Sequence, residues 1–389
     1  MQSRILFILH FPPPLNGASF MGKFIKESSL INETFESDFI NLTTSFSLEK
    51  KNKASLKKLI IIIGILLNVV KGLIKKRYDL CYMTLSASGS GFYKDLLIVC
   101  ILKLFGKKII YHFHNKGVAN AGKNKFNDFL FRFVFKNTKS ILITPLLYSD
   151  IRKYVKEDDV FYCPNGIARE ESWIAPDKPV NKDVCRLLFL SNIMKEKGVY
   201  VLLDACKQLK AKQLSFECHF VGAWVDITEN EYSSYVLKNN LADIVFAHGP
   251  RYNEDKFSFL RNSDVFVFPT YYHFETFGLV NLEAMQCGLP IVSTREGGIP
   301  DVVLDGVTGF LVPQKDVQAL ADKLEILITQ PDLRLKMGMS GQRRFNEFFT
   351  FEIFEKNLNN ILKLAIDGNI ADIKPRLLKD LKQQANLST

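Results

Sequence analysis

The fold is decided by residues 268–313, FPTYYHFETFGLVNLEAMQCGLPIVSTREGGIPDVVLDGVTGFLVP. The hydrophobic run at residues 265–268 predicts a buried strand, and Pro269 predicts the end of that strand. Residues 279–286 predict a short helix that ends before Gly288 and Pro290, and residues 291–293 predict a second buried strand. A strand, a loop, a helix and a strand in close succession are typical of an α/β sheet with parallel strands.

The loop between the first strand and the helix is a candidate ligand site. In open α/β sheets, ligands bind at the carboxyl ends of the strands, where the first amide groups of a helix have no intrahelical acceptor and attract anions. Phe277, Gly278 and Leu279 stand at this helix start. Because Gly278 has no side chain, a phosphate group can approach its backbone.

Two carboxylates flank this helix start, Glu275 in the loop and Glu283 in the helix. A carboxylate accepts two hydrogen bonds at once, which suits the neighbouring hydroxyl groups of a ribose or a hexose. A plainer interpretation is also open for such a pair. Glu275 would then be a first-turn residue favoured by the helix dipole, and Glu283 a solvated helix residue.

The sequence around these carboxylates favours the ligand site. Residues 273–313 resemble the donor-site signature of the retaining glycosyltransferase family 4, which has two Glu separated by seven residues, and the glycines and prolines are in register. The resemblance implies a GT-B architecture, in which two Rossmann-like α/β domains face each other across a cleft. It also implies that Glu275 contacts the donor sugar, that the amides of Phe277, Gly278 and Leu279 hold a diphosphate, and that Glu283 binds the ribose.

The same resemblance extends to the loop that follows the strand at residues 186–190. Family members have Gly-Arg at the start of this loop and Lys-Gly five residues later, and the two cations hold the donor diphosphate. Lys197 with Gly198 matches the second pair, whereas Asn192 stands where the arginine is expected. Since an amide has no charge, Lys197 would neutralise more of the diphosphate here. A solvated lysine before a helix is the plainer alternative for Lys197.

Three further residues are assigned by resemblance. Gly17 stands where the family has a glycine-rich turn against the donor phosphate, His114 stands near the donor's reacting carbon, and Arg251 follows a strand whose loop binds the nucleotide base. Each also has a plainer interpretation, namely an ordinary turn, a structural histidine and a surface arginine. His114 and Glu275 are the candidate catalytic residues.

The length of 389 residues suits two domains, each with its own core. We predict a first Rossmann-like domain over residues 1–175, which binds the acceptor, and a donor domain over residues 183–348. Residues 351–366 predict an amphipathic helix that, in GT-B proteins, packs back on the first domain. Residues 162–167, YCPNGI, resemble the turn between the domains.

The positive charge is concentrated in the first part of the chain. Residues 1–170 contain 26 Lys plus Arg and 13 Asp plus Glu, whereas the rest contains 25 and 28. This excess predicts an anionic partner for the first domain. The lysines accompany aliphatic runs, and no nucleic-acid recognition motif is present. We therefore expect the partner to be an anionic membrane surface and not a nucleic acid.

The segment KKNKASLKKLIIIIGILLNVVKGLIKKR, residues 50–77, has lysines on both sides of an aliphatic run and no acidic residue. Its apolar run is shorter than the about 20 residues that span a bilayer. It suits either a core helix or a helix at the membrane surface. We expect the aliphatic residues to lie in the core and the lysines to face the membrane.

The cysteines and the first residues indicate a cytoplasmic protein. The seven cysteines are widely spaced and mostly lie in apolar runs, which is typical of buried free thiols in a reducing compartment. The run at residues 4–11 is short, contains His10 and suits a first strand better than a signal peptide. We therefore expect a cytoplasmic enzyme, peripheral at the inner face of the cell membrane.

The family resemblance implies a retaining hexosyltransferase. Its donor would be a nucleotide diphosphate sugar, with uridine diphosphate as the family's commonest base. Its acceptor would be a lipid-linked, lipopolysaccharide or capsule glycan such as an O-antigen. Leaving-group charge would be stabilised by Lys197 and helix amides, so no metal or cofactor is expected. The alternatives are a sugar-nucleotide epimerase or phosphorylase on the same fold, and a non-catalytic nucleotide-sugar-binding subunit.

Overall fold

The computed structural model of this chain describes residues 2–14, 16–44, 56–169 and 184–367. It consists of two compact units, the first made of the chain up to Asn165 together with a helix that begins at Phe351, and the second of Gly166–Thr350. Ile167 belongs to the second unit because it pairs with Thr350 and donates its amide hydrogen to the Phe349 carbonyl at 3.0 Å. The boundary therefore lies before residue 175, where the sequence placed the end of the first domain.

The first unit contains a parallel sheet with helices. In chain order its elements up to Asn165 are β1 (Arg4–Leu9), α1 (Gly17–Glu27), α2 (Ser29–Thr34), β2 (Glu36–Asn41), α3 (Leu56–Lys75), β3 (Leu80–Met83), α4 (Gly89–Leu104), β4 (Ile109–Phe113), α5 (Val118–Ala121), α6 (Lys125–Phe135), β5 (Lys139–Leu142), α7 (Tyr148–Ile151) and β6 (Val160–Tyr162). The strand order is β2-β1-β3-β4-β5-β6, and every pairing is parallel. The central strands are almost wholly buried, which explains their continuous apolar sequences.

The second unit repeats this architecture. Its elements are β7 (Cys185–Leu190), α8 (Val199–Ala211), β8 (Phe216–Val221), α9 (Glu229–Lys238), β9 (Val245–Ala247), α10 (Asn253–Asn262), β10 (Val265–Phe268), α11 (Leu279–Gln286), β11 (Ile291–Thr294), α12 (Ile299–Val302), β12 (Gly309–Val312), α13 (Val317–Thr329) and α14 (Pro331–Phe348). The strand order is β12-β11-β10-β7-β8-β9, again with parallel pairings. The elements at residues 265–268 and 279–286 are those predicted from the sequence.

The last described helix, α15 (Phe351–Asp367), completes the core of the first unit. Its residues Phe354, Leu358, Ile361 and Leu362 are buried in the same apolar cluster as Phe7 and Tyr82 of the sheet. The side chain of Ser28, just before α2, also donates a hydrogen bond to Glu355 at 2.6 Å. The first unit is therefore built from two distant parts of the chain.

In each sheet, the strand order reverses beside the first strand of the unit. In the first sheet β1 lies between β2 and β3, and in the second sheet β7 lies between β10 and β8. The loops that leave two such neighbouring strands diverge to opposite faces, and the crevice between them is the usual ligand site of an open α/β sheet. In the second unit, the loops after β7 and β10 contain the predicted donor-site residues Lys197 and Glu275.

Helix α3 differs from the sequence prediction in how its aliphatic residues are placed. Only three of its residues, Ile65, Val69 and Leu73, are buried. Ile60 and Leu67, which we expected in the core, are 62% and 64% exposed. The prediction that the aliphatic residues lie in the core failed because only one face of α3 packs against the sheet, whereas its sequence is apolar on two faces.

All seven cysteines are free thiols, and six of them are buried, as predicted; Cys100 on α4 is exposed.

Among the described residues, no helix combines the length and the apolar character needed to cross a bilayer.

Candidate active site

The candidate site of the second unit begins with the loop after β7. Residues Lys195–Lys197 form a short 3-10 turn, and Gly198 follows in a left-handed conformation with φ of +87° before α8 begins. A side chain at Gly198 would overlap the carbonyl group of Pro269 at the end of β10. Gly198 is thus required both by its backbone conformation and by the close approach of the two loops.

Backbone hydrogen bonds tie this loop to the one after β10. The Tyr271 amide donates to the Glu196 carbonyl at 2.8 Å, and the Thr270 hydroxyl donates to the same oxygen at 3.4 Å. Lys197, the next residue, therefore points its ammonium group at the loop that contains Glu275. This arrangement follows from the pairing of β7 with β10 in the sheet.

Lys197 and Glu275 form an ion pair at the centre of the site. Lys197 Nζ donates to Glu275 Oε2 at 2.6 Å, and both side chains are only 13% exposed. The ammonium group also lies 4.6 Å from the ring centroid of Tyr272 and 5.4 Å from that of Phe268. An ammonium group has three donor hydrogens, so Lys197 keeps capacity for an anionic ligand while it holds Glu275.

The start of α11 lies next to this pair in the chain. Gly278 caps the helix in a left-handed conformation with φ of +68°, and a Cβ atom there would lie 2.6 Å from Asn281 Nδ2. Phe277 is buried and packs edge-on against Phe349, with ring centroids 5.9 Å apart. The first amides of α11 have no intrahelical acceptors, and the helix dipole adds partial positive charge at this point.

Glu283 lies further along α11 and has a partner that the sequence analysis missed. Lys256 of α10 donates a hydrogen bond from Nζ to Glu283 Oε1 at 2.7 Å, and both side chains are largely buried. The second carboxylate oxygen and the remaining lone pairs of Glu283 can accept hydrogen bonds from a diol. No sequence pattern indicated Lys256, because α10 precedes α11 by a strand and a long loop.

The other two predicted donor-site residues of this unit lie in loops. Asn192 is partly exposed and sits between Ser191 and Ile193, whose amide donates to the Ala223 carbonyl at 2.8 Å. Arg251 is exposed in the loop between β9 and α10. It lies close enough to His248 to contribute to the lowered pKa of that ring, although burial and His219 are the larger causes.

His114 and Gly17 belong to the first unit. His114 directly follows β4, and Gly17 is the exposed first residue of α1, which Asn16 caps by accepting from the Ser19 amide at 3.1 Å. The pKa of His114 is lowered to about 4, mainly by burial and to a smaller extent by the neighbouring His10, whereas a hydrogen bond with Asn165 acts in the opposite direction. The His114 ring is therefore neutral at pH 7.

His10, Lys94 and Asp95 accompany His114 in the first unit and were not predicted. Burial lowers the pKa of His10 to about 4, with Lys94 as the second cause. Lys94 Nζ lies 3.2 Å from Asp95 Oδ1, and the two side chains are 8% and 0% exposed. Asp95 Oδ2 accepts from the Ser86 amide at 2.9 Å, so the buried ion pair fixes the loop after β3. In the part of the chain that the structure describes, no group of His, Cys, Asp and Glu residues could hold a metal ion.

The comparison with protein families bears on the second unit. Residues 173–344 match the family model "Glycosyl transferases group 1", and this range includes Lys197, Glu275 and Glu283. The second unit is therefore similar to this family, and we call it the group 1 domain. The match confirms the predicted resemblance to a glycosyltransferase family.

Curated relatives are similar to this chain over part of its length. The capsular polysaccharide biosynthesis glycosyltransferase CapM of Staphylococcus aureus is 31% identical over 173 residues, which are 44% of this chain and 44% of the relative. A D-inositol 3-phosphate glycosyltransferase of an Arthrobacter species is 35% identical over 157 residues, 40% of this chain and 37% of the relative. The matches thus span less than half the length of these relatives.

Solved structures share the fold over nearly the whole chain. A glycosyltransferase from Rickettsia africae has a TM-score of 0.74 at 17% identity, covering 95% of this chain and 100% of its own. HepE from Anabaena, in complex with UDP and glucose, has a TM-score of 0.68 at 17% identity, covering 93% of this chain and 99% of its own. The predicted fold class, an α/β protein of the GT-B type with two Rossmann-like units, is confirmed.

Proposed function

We propose that this protein is a retaining glycosyltransferase that moves a hexose-type sugar from a nucleotide diphosphate sugar to a glycan acceptor. The observation that supports this most directly is the buried Lys197–Glu275 pair at the point where the strand order of the group 1 domain reverses. A cation and a helix start are thereby placed together, as a diphosphate requires. The carboxylates of Glu275 and Glu283 suit the hydroxyl groups of the donor sugar and of the ribose, which lie on either side of the diphosphate in a nucleotide sugar.

In the proposed reaction, the bond between the donor's anomeric carbon and the diphosphate oxygen breaks as a bond to the acceptor oxygen forms on the same face of the sugar. The departing diphosphate takes the proton of the acceptor hydroxyl. Lys197 and the first amides of α11 stabilise the charge that develops on the diphosphate, which is why we propose that no metal ion is needed. We propose that Asn192, Arg251 and Gly17 bind the donor and that His114 acts near its reacting carbon, as the family resemblance implies.

The donor base and the acceptor are proposed from the relatives. HepE has been crystallised with UDP and glucose and with UDP-glucose, which favours uridine diphosphate in this chain as well. CapM is named for capsular polysaccharide biosynthesis, and WaaG, a further structural neighbour, for lipopolysaccharide biosynthesis. We therefore propose a lipid-linked, lipopolysaccharide or capsule glycan as the acceptor.

We further propose that the protein works at the cytoplasmic face of the cell membrane. The excess of Lys and Arg in residues 1–170, 26 against 13 acidic residues, suits an anionic lipid surface that presents such an acceptor.

The donor site is tested by thermal unfolding with UDP, GDP, ADP and dTDP, and with the sugar derivatives of the base that responds. We expect one diphosphate to raise the unfolding temperature. Lys197→Ala and Glu283→Ala should each weaken the binding of this diphosphate about 10- to 100-fold, since each removes a charge-assisted contact. The matched controls Lys238→Ala and Glu229→Ala change exposed residues of α9 and should leave the response unchanged.

Transfer is then measured as release of the diphosphate in the presence of a membrane glycolipid fraction, with and without EDTA. We expect release that EDTA does not reduce and a product that retains the donor's anomeric configuration. No response to any diphosphate would exclude the donor site and favour a different function for this fold. Binding without transfer would favour the non-catalytic nucleotide-sugar-binding alternative.

A further inference from the structure

Helix α3 has two apolar faces, and only one of them packs against the protein. Ile65, Val69 and Leu73 are buried, at the spacing of four residues that places them on one side of a helix. The exposed large side chains recur at intervals of three, four and seven residues and lie on the opposite side, in a stripe about 100° wide. They are Leu56, Leu59, Ile60, Ile63, Leu67 and Ile74.

The neighbouring helices α4 and α6 extend this exposed apolar stripe. Helix α4 contacts α3, and together with its C-terminal cap residue Phe105 it exposes the side chains of Tyr93, Leu97, Leu104 and Phe105. Helix α6 packs on α4 through Phe131 and Phe92, whose ring centroids are 4.5 Å apart, and exposes Phe126, Phe129 and Phe133. We call these thirteen exposed side chains of α3, α4 and α6 the apolar surface.

The topology places all three helices on one face of the first sheet. The chain moves in one direction along the sheet from β2 to β3, β4 and β5, and right-handed connections in one direction lie on the same face. Each helix buries the side that faces the sheet, so the exposed stripes all point away from it. A group of exposed apolar residues of this size marks an interaction site on a protein surface.

The charges around the apolar surface are almost all positive. Helices α3, α4 and α6 contain eight Lys or Arg residues and two acidic residues. Of the two, Asp95 is buried beside Lys94, and Asp128 is held by Arg132 and Lys153. A second copy of this surface would bring like charges together, whereas anionic lipid head groups would complement them.

Two lysines of α3 lie along one edge of the apolar surface. Lys71 and Lys75, with Asn68, line a cavity of about 410 Å³ between α3 and the edge strand β2. Aliphatic stems that run beside an apolar stripe, with ammonium groups at its edge, are typical of helices that lie in a membrane interface. The anionic head groups would contact this edge while the stripe enters the acyl region.

We propose that the apolar surface enters the acyl boundary of an anionic bilayer and that the lysines of α3 contact the head groups. Attachment is then mainly hydrophobic, with an electrostatic part. This inference rests on the proposed function, because a membrane-carried acceptor gives the attachment its purpose. It goes beyond that function because it names the inserted residues. The aliphatic side chains enter the acyl region, and the lysines contact the head groups.

The test uses vesicles of phosphatidylcholine with about a third phosphatidylglycerol, and the full-length protein. We expect the triple variant Ile60→Gln, Ile63→Gln, Leu67→Gln to bind vesicles at least about tenfold more weakly, since three inserted side chains lose apolar contact. The side chains are exposed, so the variant folds normally. The matched control changes the exposed Val225, Leu237 and Leu335 of the second unit to Gln and should bind like the wild type.

Two further measurements separate insertion from charge attraction alone. The variant Lys71→Gln, Lys75→Gln should lose salt-sensitive binding, whereas the wild type keeps measurable binding in 0.5 M salt. Cys100, the exposed cysteine, lies on the outer face of α4 and accepts an environment-sensitive dye. The fluorescence of this dye should be quenched by spin labels placed on the acyl chains of the lipids.

Unchanged vesicle binding of the triple variant, or a dye that acyl-chain quenchers do not reach, would overturn the proposal. A concentration-dependent dimer that the triple variant abolishes would overturn it as well, in favour of a second copy on the apolar surface. Thermal stabilisation by the nucleotide diphosphate is measured on the same variants without lipid. A failure of the donor site is thereby distinguished from a failure of membrane insertion.

Discussion

Folding strongly disfavours the protonated rings of His10 and His114. The pKa of each falls to about 4 because burial disfavours the charged ring. An unfolded histidine has a pKa of about 6.5, so between these values the unfolded state binds protons that the native state does not. The free energy of unfolding therefore decreases as the pH falls from about 6.5 towards about 4, and these two residues have no such effect at higher pH.

We predict that His10→Gln reduces this pH dependence. The slope of unfolding free energy against pH near pH 5 should fall by up to one proton, about 1.4 kcal/mol per pH unit. Urea unfolding between pH 5 and pH 8 measures the slope. The control His273→Gln changes an exposed histidine of the second unit and should leave the slope unchanged. Equal slopes for His10→Gln and the wild type would contradict the assignment.

At the residue scale, the sequence did not indicate which side chains would contact the predicted site residues. Lys197 and Glu275 were assigned separately from family-like motifs, but their ion pair depends on the pairing of β7 with β10, which no local pattern contains. Lys256 was missed for the same reason, since only the packing of α10 near α11 brings it to Glu283.

Glycines within helices show how packing decides between opposite effects of the same substitution. Gly338 in α14 lies against the backbone of Gly288, so an added Cβ atom would overlap the Gly288 carbonyl. Gly64 in α3 has open space around the position of its missing Cβ atom. An added methyl group costs packing energy in the first case and only raises helix propensity in the second.

We predict that Gly338→Ala destabilises the second unit by about 1–3 kcal/mol and that Gly64→Ala stabilises the first unit by about 0.5–1 kcal/mol. Chemical unfolding followed by circular dichroism measures both changes, and each variant serves as the other's control. A Gly338→Ala variant as stable as the wild type would contradict the tight contact of α14 with Gly288, and a destabilised Gly64→Ala variant would contradict the open space beside α3.

At the element scale, the buried strand β10 and the helix α11 were predictable, whereas the edge strand β2 and the outer face of α3 were not. The runs at residues 265–268 and 279–286 indicated their elements directly, because Pro269 ends the first apolar run and Gly288 ends the second. The edge strand β2, with the half-exposed sequence ESDFIN, has no such run and was not predicted. The second apolar face of α3 misled the prediction because hydrophobicity alone does not distinguish a protein core from a lipid surface.

At the scale of the whole molecule, the first unit depends on α15. Four large side chains of this helix, Phe354, Leu358, Ile361 and Leu362, are buried in the core of the first unit. Burial of four such side chains contributes roughly 6–12 kcal/mol, which is comparable with the whole stability of a typical domain, about 5–15 kcal/mol.

We predict that a chain that ends after Thr350 has an unfolded first unit and a folded second unit. Limited proteolysis should degrade the first unit, while UDP still raises the unfolding temperature of the remaining one. A chain that ends after Asp367 keeps α15 and is the control. Protease resistance of residues 2–165 in the shorter chain would show that α15 is dispensable.

The division of the first unit between two parts of the chain also sets an order of events during synthesis. A ribosome that has translated Thr350 has already supplied every residue of the second unit, which is then free to fold as soon as it leaves the exit tunnel. The first unit, although translated earlier, has to wait with an open core until α15 emerges, for roughly 10–40 s at about 5–20 residues per second. During that interval its apolar residues are exposed to chaperones, so the nascent chain is expected to depend on them more before α15 appears than after it.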